Sequence, residues 1–353
     1  MSEKLGIPAS EILDFSANIN PRGLPAAAHA KLVRDAANAH LLGCYPDPSA
    51  NSLRRALARH LDCAAESIVV GPGAESLLAP IVRCLQTLRA LIPIPAFSEY
   101  RRVCTQENIK FIPFKLLSSE QFRLPVDCFR EAIANSVCDL VILNNPHNPS
   151  GSMLSRAEVN TILETARSRE ITLLLDEAFI DYAAHESLVQ EAAAKPGLIV
   201  VRSLTKFYGC PALRVGYAVA HPDTITRMKA LLATWPVSQM AMDALEEALL
   251  DQEYARCSLR ENQMQREPLS DLLATLGLTV YPSAANYLLF ELQPEMPASS
   301  ELRAQLINRH HILIRNCDSY EGLVRGRYVR VAVRSKADNS RLVKALAEEL
   351  NAE

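Results

Sequence analysis

Short apolar runs rich in β-branched residues recur along the first two thirds of the chain. They occupy residues 67–71, 90–94, 109–114, 140–144, 171–175, 198–202 and 216–220. Amphipathic stretches such as 75–85 and 155–168 separate most of them. Short buried strands alternating with helices predict an α/β fold around a mostly parallel sheet. The pattern changes near residue 235. One long helical stretch is predicted over 240–276, then strands over 278–281, 287–291, 312–314 and 328–333, and a closing helix near 339–350. The implied organisation is a large domain over 36–235 and a smaller α+β domain over 236–353. An irregular N-terminal arm over 1–35, rich in Asn and Pro, is expected to pack with the small domain.

Length supports that division, since 353 residues exceed one ordinary domain. Hydrophobic residues are 49% of the chain, enough for a sizeable core and too many for a disordered protein. Against 40 acidic residues stand 37 basic ones, so no cationic excess exists to bind a nucleic-acid backbone. No apolar run approaches the length of a membrane span, and Met1-Ser2-Glu3-Lys4 lacks the apolar core of a signal peptide. Nine scattered cysteines form no CxxC pair, which supports neither a zinc ribbon nor a dithiol motif. The expectation is a cytoplasmic protein with reduced thiols, no metal and no membrane or nucleic-acid partner.

Several residues could carry chemistry. Lys206 follows the apolar run 198–201, and α/β sheets bind ligands at the carboxyl ends of their strands. An amine there, flanked by Ser203 and Thr205, suits Schiff-base chemistry if burial and nearby cations depress its pKa. Asp176 closes the run 171–175, and a buried carboxylate needs a cationic partner such as a protonated pyridine nitrogen. Asn148 lies in Asn144-Asn145-Pro146-His147-Asn148-Pro149-Ser150-Gly151, a rigid turn from which its amide could donate to a phenolate. His147 in the same turn is expected to face solvent.

Gly71-Pro72-Gly73-Ala74-Glu75-Ser76 joins a strand to a helix, so the backbone N–H groups of Gly73, Ala74 and Glu75 could meet a phosphate. The segment is neither a dinucleotide fingerprint nor a P-loop. Arg214, eight residues past Lys206, could hold the same phosphate in bidentate fashion. Taken singly, each feature has a plainer reading: a surface lysine, a helix cap, a turn, a tight strand–helix link, a surface ion pair.

Together they carry more. The glycine turn, the NPHNPSG turn, Asp176 at 28 residues past Asn148, Lys206 at 30 past Asp176, and Arg214 occur in one order. That order resembles fold-type I pyridoxal phosphate (PLP) enzymes of the aspartate aminotransferase superfamily. The resemblance implies that Lys206 carries the cofactor covalently, Asp176 pairs with its ring nitrogen and Asn148 bonds its phenolic oxygen. The amides of Gly73, Ala74 and Glu75, with Ser203 and Arg214, would hold the phosphate, the Glu75 carboxylate pointing away. Phe97, in Pro95-Ala96-Phe97-Ser98-Glu99-Tyr100, matches the aromatic that stacks on the ring. Tyr45, in Tyr45-Pro46-Asp47-Pro48, matches a tyrosine reaching the phosphate across a subunit interface, so a homodimer with shared sites is implied.

Within the superfamily the chain is similar to two groups, histidinol-phosphate aminotransferases and the threonine-phosphate decarboxylases of cobalamin biosynthesis. Asp14-Phe15-Ser16-Ala17-Asn18-Ile19-Asn20-Pro21 and Asp176-Glu177-Ala178-Phe179-Ile180-Asp181 resemble the decarboxylases more. The aminotransferases usually carry Tyr where Phe179 stands. Arg202-Ser203-Leu204-Thr205-Lys206-Phe207-Tyr208, Ile312-Leu313-Ile314-Arg315-Asn316-Cys317, Tyr320-Glu321-Gly322-Leu323 and Arg330-Val331-Ala332-Val333-Arg334 point the same way. The decarboxylases often carry a His-Gly-Gly-Asn segment ahead of the Asp-Phe-Ser stretch; this sequence contains none.

The resemblance implies decarboxylation of O-phospho-L-threonine to (R)-1-amino-2-propanol phosphate, or of O-phospho-L-serine to ethanolamine phosphate. The alternative is an aminotransferase acting on histidinol phosphate with a 2-oxoacid. For the substrate, Arg330 is the candidate for the carboxylate, with Asn18 and Asn148 assisting, and Arg315 for the phosphate. Strand arginines reaching the surface are the plainer reading, and Arg334 is assigned no more than a helping role.

Overall fold

The computed structural model describes residues 7–350. A two-residue strand, β1 (Leu13–Asp14), precedes a helix over Ala26–Ala36. Residues 26–36 are therefore not irregular, as the sequence pattern suggested. Ala28 and Leu32, one helical turn apart, turn into the core, while Lys31 reaches Asp243 at 2.8 Å on the helix Gln239–Leu250.

Seven strands form the central sheet: β2 (Ile68–Gly71), β3 (Arg89–Ile94), β4 (Lys110–Lys115), β5 (Leu140–Asn144), β6 (Thr172–Asp176), β7 (Leu198–Ser203) and β8 (Gly216–Ala220). Their spatial order is β2-β8-β7-β6-β5-β3-β4. β8 runs antiparallel to both its neighbours, and the other six strands share one direction. Helices cover both faces, so every strand except the edge strand β4 reads as a nearly unbroken apolar run. Alternate residues separate cleanly. Val141, Leu143, Leu173, Leu175 and Val200 enter one apolar layer, and Ile142, Leu174, Ile199 and Val201 the other.

Beyond residue 235 the predicted long helix is two helices, Gln239–Leu250 and Gln252–Thr275. Asp251 divides them and caps the second by accepting from Tyr254 N at 2.8 Å. The later strands are β9 (Thr279–Val280), β10 (Tyr287–Glu291), β11 (Ile312–Leu313), β12 (Arg315–Asn316) and β13 (Tyr328–Ala332), and the closing helix spans Lys336–Leu350. β12, β13, β10 and β9 make an antiparallel sheet in that order, whereas β11 pairs in parallel with β1. The strand predicted over 312–314 thus breaks at Ile314 and changes sheets. Phe15, Leu269, Leu288, Phe290, Ile312, Val329, Val331 and Leu342 form the apolar cluster of this part.

Two bonds clamp this second layer onto the turn after β5. Tyr287 Oη donates to His147 O at 2.9 Å, and Ala284 N donates to Gly151 O at 2.8 Å. Among the described residues, no helix is long and apolar enough to cross a membrane, and no His/Cys/Asp/Glu group is arranged to hold a metal ion.

Candidate active site

β5 and β6 end in register, Asn144 opposite Asp176, with Val201 of β7 beside Asp176. Their carboxyl ends therefore open on one edge of the sheet, the place where α/β folds bind ligands. A cavity of about 970 Å³ lies there. Its walls come from these strand ends, the loop after β2, residues 16–18, and the β12–β13 region.

Asp176 is buried. Tyr100 Oη donates to its Oδ2 at 2.5 Å and Ala178 N to its Oδ1 at 2.9 Å. Neither oxygen has a hydrogen-bonded cationic partner among the described residues. Desolvation raises its pKa, against the two hydrogen bonds and the Lys206 charge. Lys206 is half-buried across the cavity. Desolvation, then Arg330 and Arg214, lowers its pKa, and Asp176 opposes them. The amine is thereby biased toward its neutral, nucleophilic form.

Asn148 is held at three points. Its Oδ1 accepts from Arg330 Nη1 at 2.6 Å and from Tyr320 Oη at 3.0 Å, and its N–H donates to Asn144 Oδ1 at 2.7 Å. An oxygen so engaged leaves the amide nitrogen as the group that can donate to a ligand. His147 does not face solvent. It is buried, with Nε2 2.8 Å from Pro95 O and Nδ1 2.7 Å from Ser150 Oγ. A carbonyl can only accept, so Nε2 carries the proton. Burial pushes the imidazole down to about 4. The partner that buries it stands 52 positions earlier, outside any local pattern.

Two glycines shape the anion end. Gly73 has φ +98°, and a Cβ there would lie 2.6 Å from Arg214 Nη2. A Cβ on Gly216 would lie 2.2 Å from Ala74 N. Backbone and guanidinium therefore close together in a way only glycine permits, leaving N–H groups of the loop beside a cation. Arg214 itself takes a left-handed conformation, φ +52°. Ser203 Oγ, 2.8 Å from Thr205 Oγ1, lines the same end. The Glu75 carboxylate is paired with Arg102. Phe97 forms another wall, edge-on to Tyr100 at 5.7 Å between centroids.

Arg330 and Arg315 are cross-strand partners in β13 and β12, so their side chains leave the same face of the sheet. Arg330 is buried over the Tyr287 ring and donates through Nη2 to Ser16 O at 3.1 Å. Its Nε is buried without a partner, and so is Oδ1 of Asn18 on the same cavity wall. Arg315 donates through Nη2 to Ser319 Oγ at 3.0 Å. Arg334 instead bonds Asp338 and Asp14 O, outside the cavity wall.

Twelve of the thirteen expected site residues line one cavity. Tyr45 does not: it is 80% exposed and stacks on Trp235 at 4.4 Å. Sequence reasoning missed Tyr100, Tyr287 and Tyr320. Tyr100 had a signal, its spacing of three from Phe97 at a helix start; the other two meet the site only through tertiary packing.

Comparison with known proteins places this geometry in a class. The family model for class I and II aminotransferases matches residues 10–346, and the chain belongs to that family. Its fold is fold type I, and its cofactor is pyridoxal 5′-phosphate. Within the family, the chain is 36% identical to a threonine-phosphate decarboxylase of Salmonella typhimurium, over 97% of this chain and 92% of that one. It is 28% identical to a histidinol-phosphate aminotransferase of Methanococcus aeolicus, over 99% and 93%. The structure superimposes on an L-threonine-O-3-phosphate decarboxylase of Porphyromonas gingivalis with a TM-score of 0.84 and 26% identity, covering 97% and 100%.

The residues present suit the cofactor. The amine of Lys206, its pKa lowered by burial and by Arg330 and Arg214, could link to it. Asp176, buried without a cationic hydrogen-bond partner among the described residues, could pair with its ring nitrogen. The glycine-walled cradle beside Arg214 could take its phosphate.

Proposed function

We propose that this protein decarboxylates O-phospho-L-threonine to an aminopropanol phosphate, with O-phospho-L-serine as the near alternative. The observation that carries this reading is the placement of Arg330 and Arg315 side by side on one wall of the cavity that holds Lys206. Two guanidinium groups there suit an amino acid with a second anionic group. The orphaned Nε of Arg330 would meet the α-carboxylate, and Arg315 with Ser319 the phosphate. The choice of lyase over transferase is supported by the 36% identical relative, and by Phe179, which by the resemblance stands where the aminotransferase group usually carries Tyr.

When bound, pyridoxal phosphate supplies a sink for the electron pair released as a bond to the α-carbon breaks. The chain's own groups decide which bond that is. Arg330 and Asn18 hold the carboxylate, and Asn148, tied to Arg330, registers it against the ring. Carbon dioxide leaves with no proton, so the α-carbon must gain one. Lys206 Nζ, depressed in pKa, can deliver that proton and recover it from solvent. We further propose a homodimer in which Tyr45 serves the partner's phosphate end.

The test is a product assay on PLP-loaded protein given each phosphoamino acid without any 2-oxoacid. Multiple-turnover release of carbon dioxide and the amine phosphate is the expected outcome. No release, together with 2-oxoglutarate-dependent glutamate formation from histidinol phosphate, would instead assign a transferase.

A further inference from the structure

We propose that Tyr320 is a positioning residue that holds Arg330 and Arg315 as two separate anion sites, and so makes the cavity a gauge for amino acids bearing a second anion. The inference rests on the reading of those arginines as carboxylate and phosphate groups.

The need for such a residue follows from the register. Arg315 and Arg330 are directly opposite on paired strands, and like charges in that position repel. Left alone, the two would splay apart or converge on a single anion. Tyr320 stands between them. Arg330 can only donate, so at 3.0 Å the phenol oxygen accepts from its Nη1. The phenol hydrogen then goes to Asn148 Oδ1, also at 3.0 Å. The ring of the same residue carries the Arg315 guanidinium, 5.7 Å from its centroid. One side chain thus engages both cations through different groups, the oxygen for Arg330 and the π face for Arg315.

Its own position is fixed. Tyr320 is 6% exposed in the β12–β13 connection. That connection is pinned by Cys317 N donating to Tyr328 O at 3.1 Å and by Gly326 N donating to Asp318 Oδ1 at 2.7 Å. Ser319, the hydrogen-bond partner of Arg315, is its immediate neighbour. The phenol hydrogen also fixes the orientation of the Asn148 amide. Tyr320 therefore links the carboxylate site to the group that faces the cofactor.

The two functions of the side chain can be separated by substitution. Tyr320→Phe removes the oxygen and keeps the ring; Tyr320→Leu removes both. Holoenzymes would be titrated with L-alanine, which has a carboxylate and no phosphate, and with ethanolamine phosphate, which has the reverse. Binding would be read from the visible absorption of the bound cofactor, which reports occupancy whatever reaction follows. With Tyr320→Phe, L-alanine affinity should fall on the order of tenfold. Ethanolamine phosphate affinity should stay within about twofold, the Arg315–ring contact being intact. The pH midpoint of the unliganded visible band should shift, because Asn148 has lost a partner. Tyr320→Leu should weaken both probes.

Equal effects of Tyr320→Phe on both probes, or on neither, would overturn the proposal, as would an unchanged phosphate probe in Tyr320→Leu. The two readings fail separately. Split probes without carbon dioxide release from phosphothreonine would remove the decarboxylase and leave Tyr320 standing. Release without a split would do the opposite.

Discussion

Burial moves Asp176 and Lys206 toward the same condition from opposite sides. The carboxyl rises and the amine falls, so each is biased toward neutrality in the free site. A protonated ring nitrogen brought to Asp176 would find a carboxyl group with no cationic hydrogen-bond partner among the described residues, and would favour its ionised form. These two residues, with Asn148 and Arg214, were legible because each stands in a strand-end or turn segment whose local chemistry is unusual. His147 was not, since its environment comes from Pro95 O and Ser150. It carries a consequence for stability. Its folded pKa is depressed from 6.5 to about 4, so the unfolded chain binds the extra proton first. The stability tied to neutral His147 is fully present above about 6.5 and is lost as pH falls through the window toward 4. The loss reaches up to about 3 kcal/mol. Urea unfolding of the wild type and His147→Gln across that window measures it. The stability difference between them should shrink steadily toward acid, and a constant difference would show that His147 is not buried neutral.

Elements were easier to read than their connections. Six of the seven central strands announced themselves because both faces are covered, which removes polar interruptions; the edge strand β4 is the exception. The direction of β8 did not, since an antiparallel strand buried on both faces carries the same apolar signature as a parallel one. Its reversal matters. It brings Gly216 of β8 against Ala74 in the loop after β2, next to Ser203 at the end of β7. The break of the 312–314 run was equally hidden, yet it is what moves Arg315 into register with Arg330. Asp251 ended a helix in a stretch whose polar–apolar pattern continued past it. The close approach at Gly216 gives an element-scale prediction. A methyl group 2.2 Å from a backbone nitrogen cannot be accommodated without moving the loop. Gly216→Ala should weaken PLP binding on the order of tenfold or more while the chain still folds, overpacking typically costing about 1–3 kcal/mol. Equilibrium dialysis of PLP, beside circular dichroism, measures it; Gly43→Ala, whose new Cβ would meet nothing closer than 3.4 Å, is the control.

At the scale of the whole molecule, the N-terminal residues bind the parts together. Phe15 joins the apolar cluster of the second layer, Asn20 Nδ2 bonds Phe207 O and Ser258 Oγ at 2.8 Å, and the helix Ala26–Ala36 lies on Gln239–Leu250. One feature of a single chain stays unused. Tyr45 and Trp235 present a stacked aromatic pair to solvent, near exposed Leu42 and Leu231 in sequence. Tyrosine so exposed cannot serve its own cavity, whose wall excludes it. In the homodimer proposed above, a second copy would cover the pair and each Tyr45 would serve the other subunit's site. Subunit mixing tests this directly. Lys206→Ala and Tyr45→Phe homodimers would each be defective, the first in covalent linkage and the second in cofactor retention. In a mixed dimer, the subunit carrying Tyr45→Phe keeps Lys206 and receives the native Tyr45 from its partner. One complete site should therefore appear per mixed dimer, seen as tight, covalently linked PLP that neither parent shows. Absence of such sites in verified mixed dimers would mean that Tyr45 acts within its own chain or not at all.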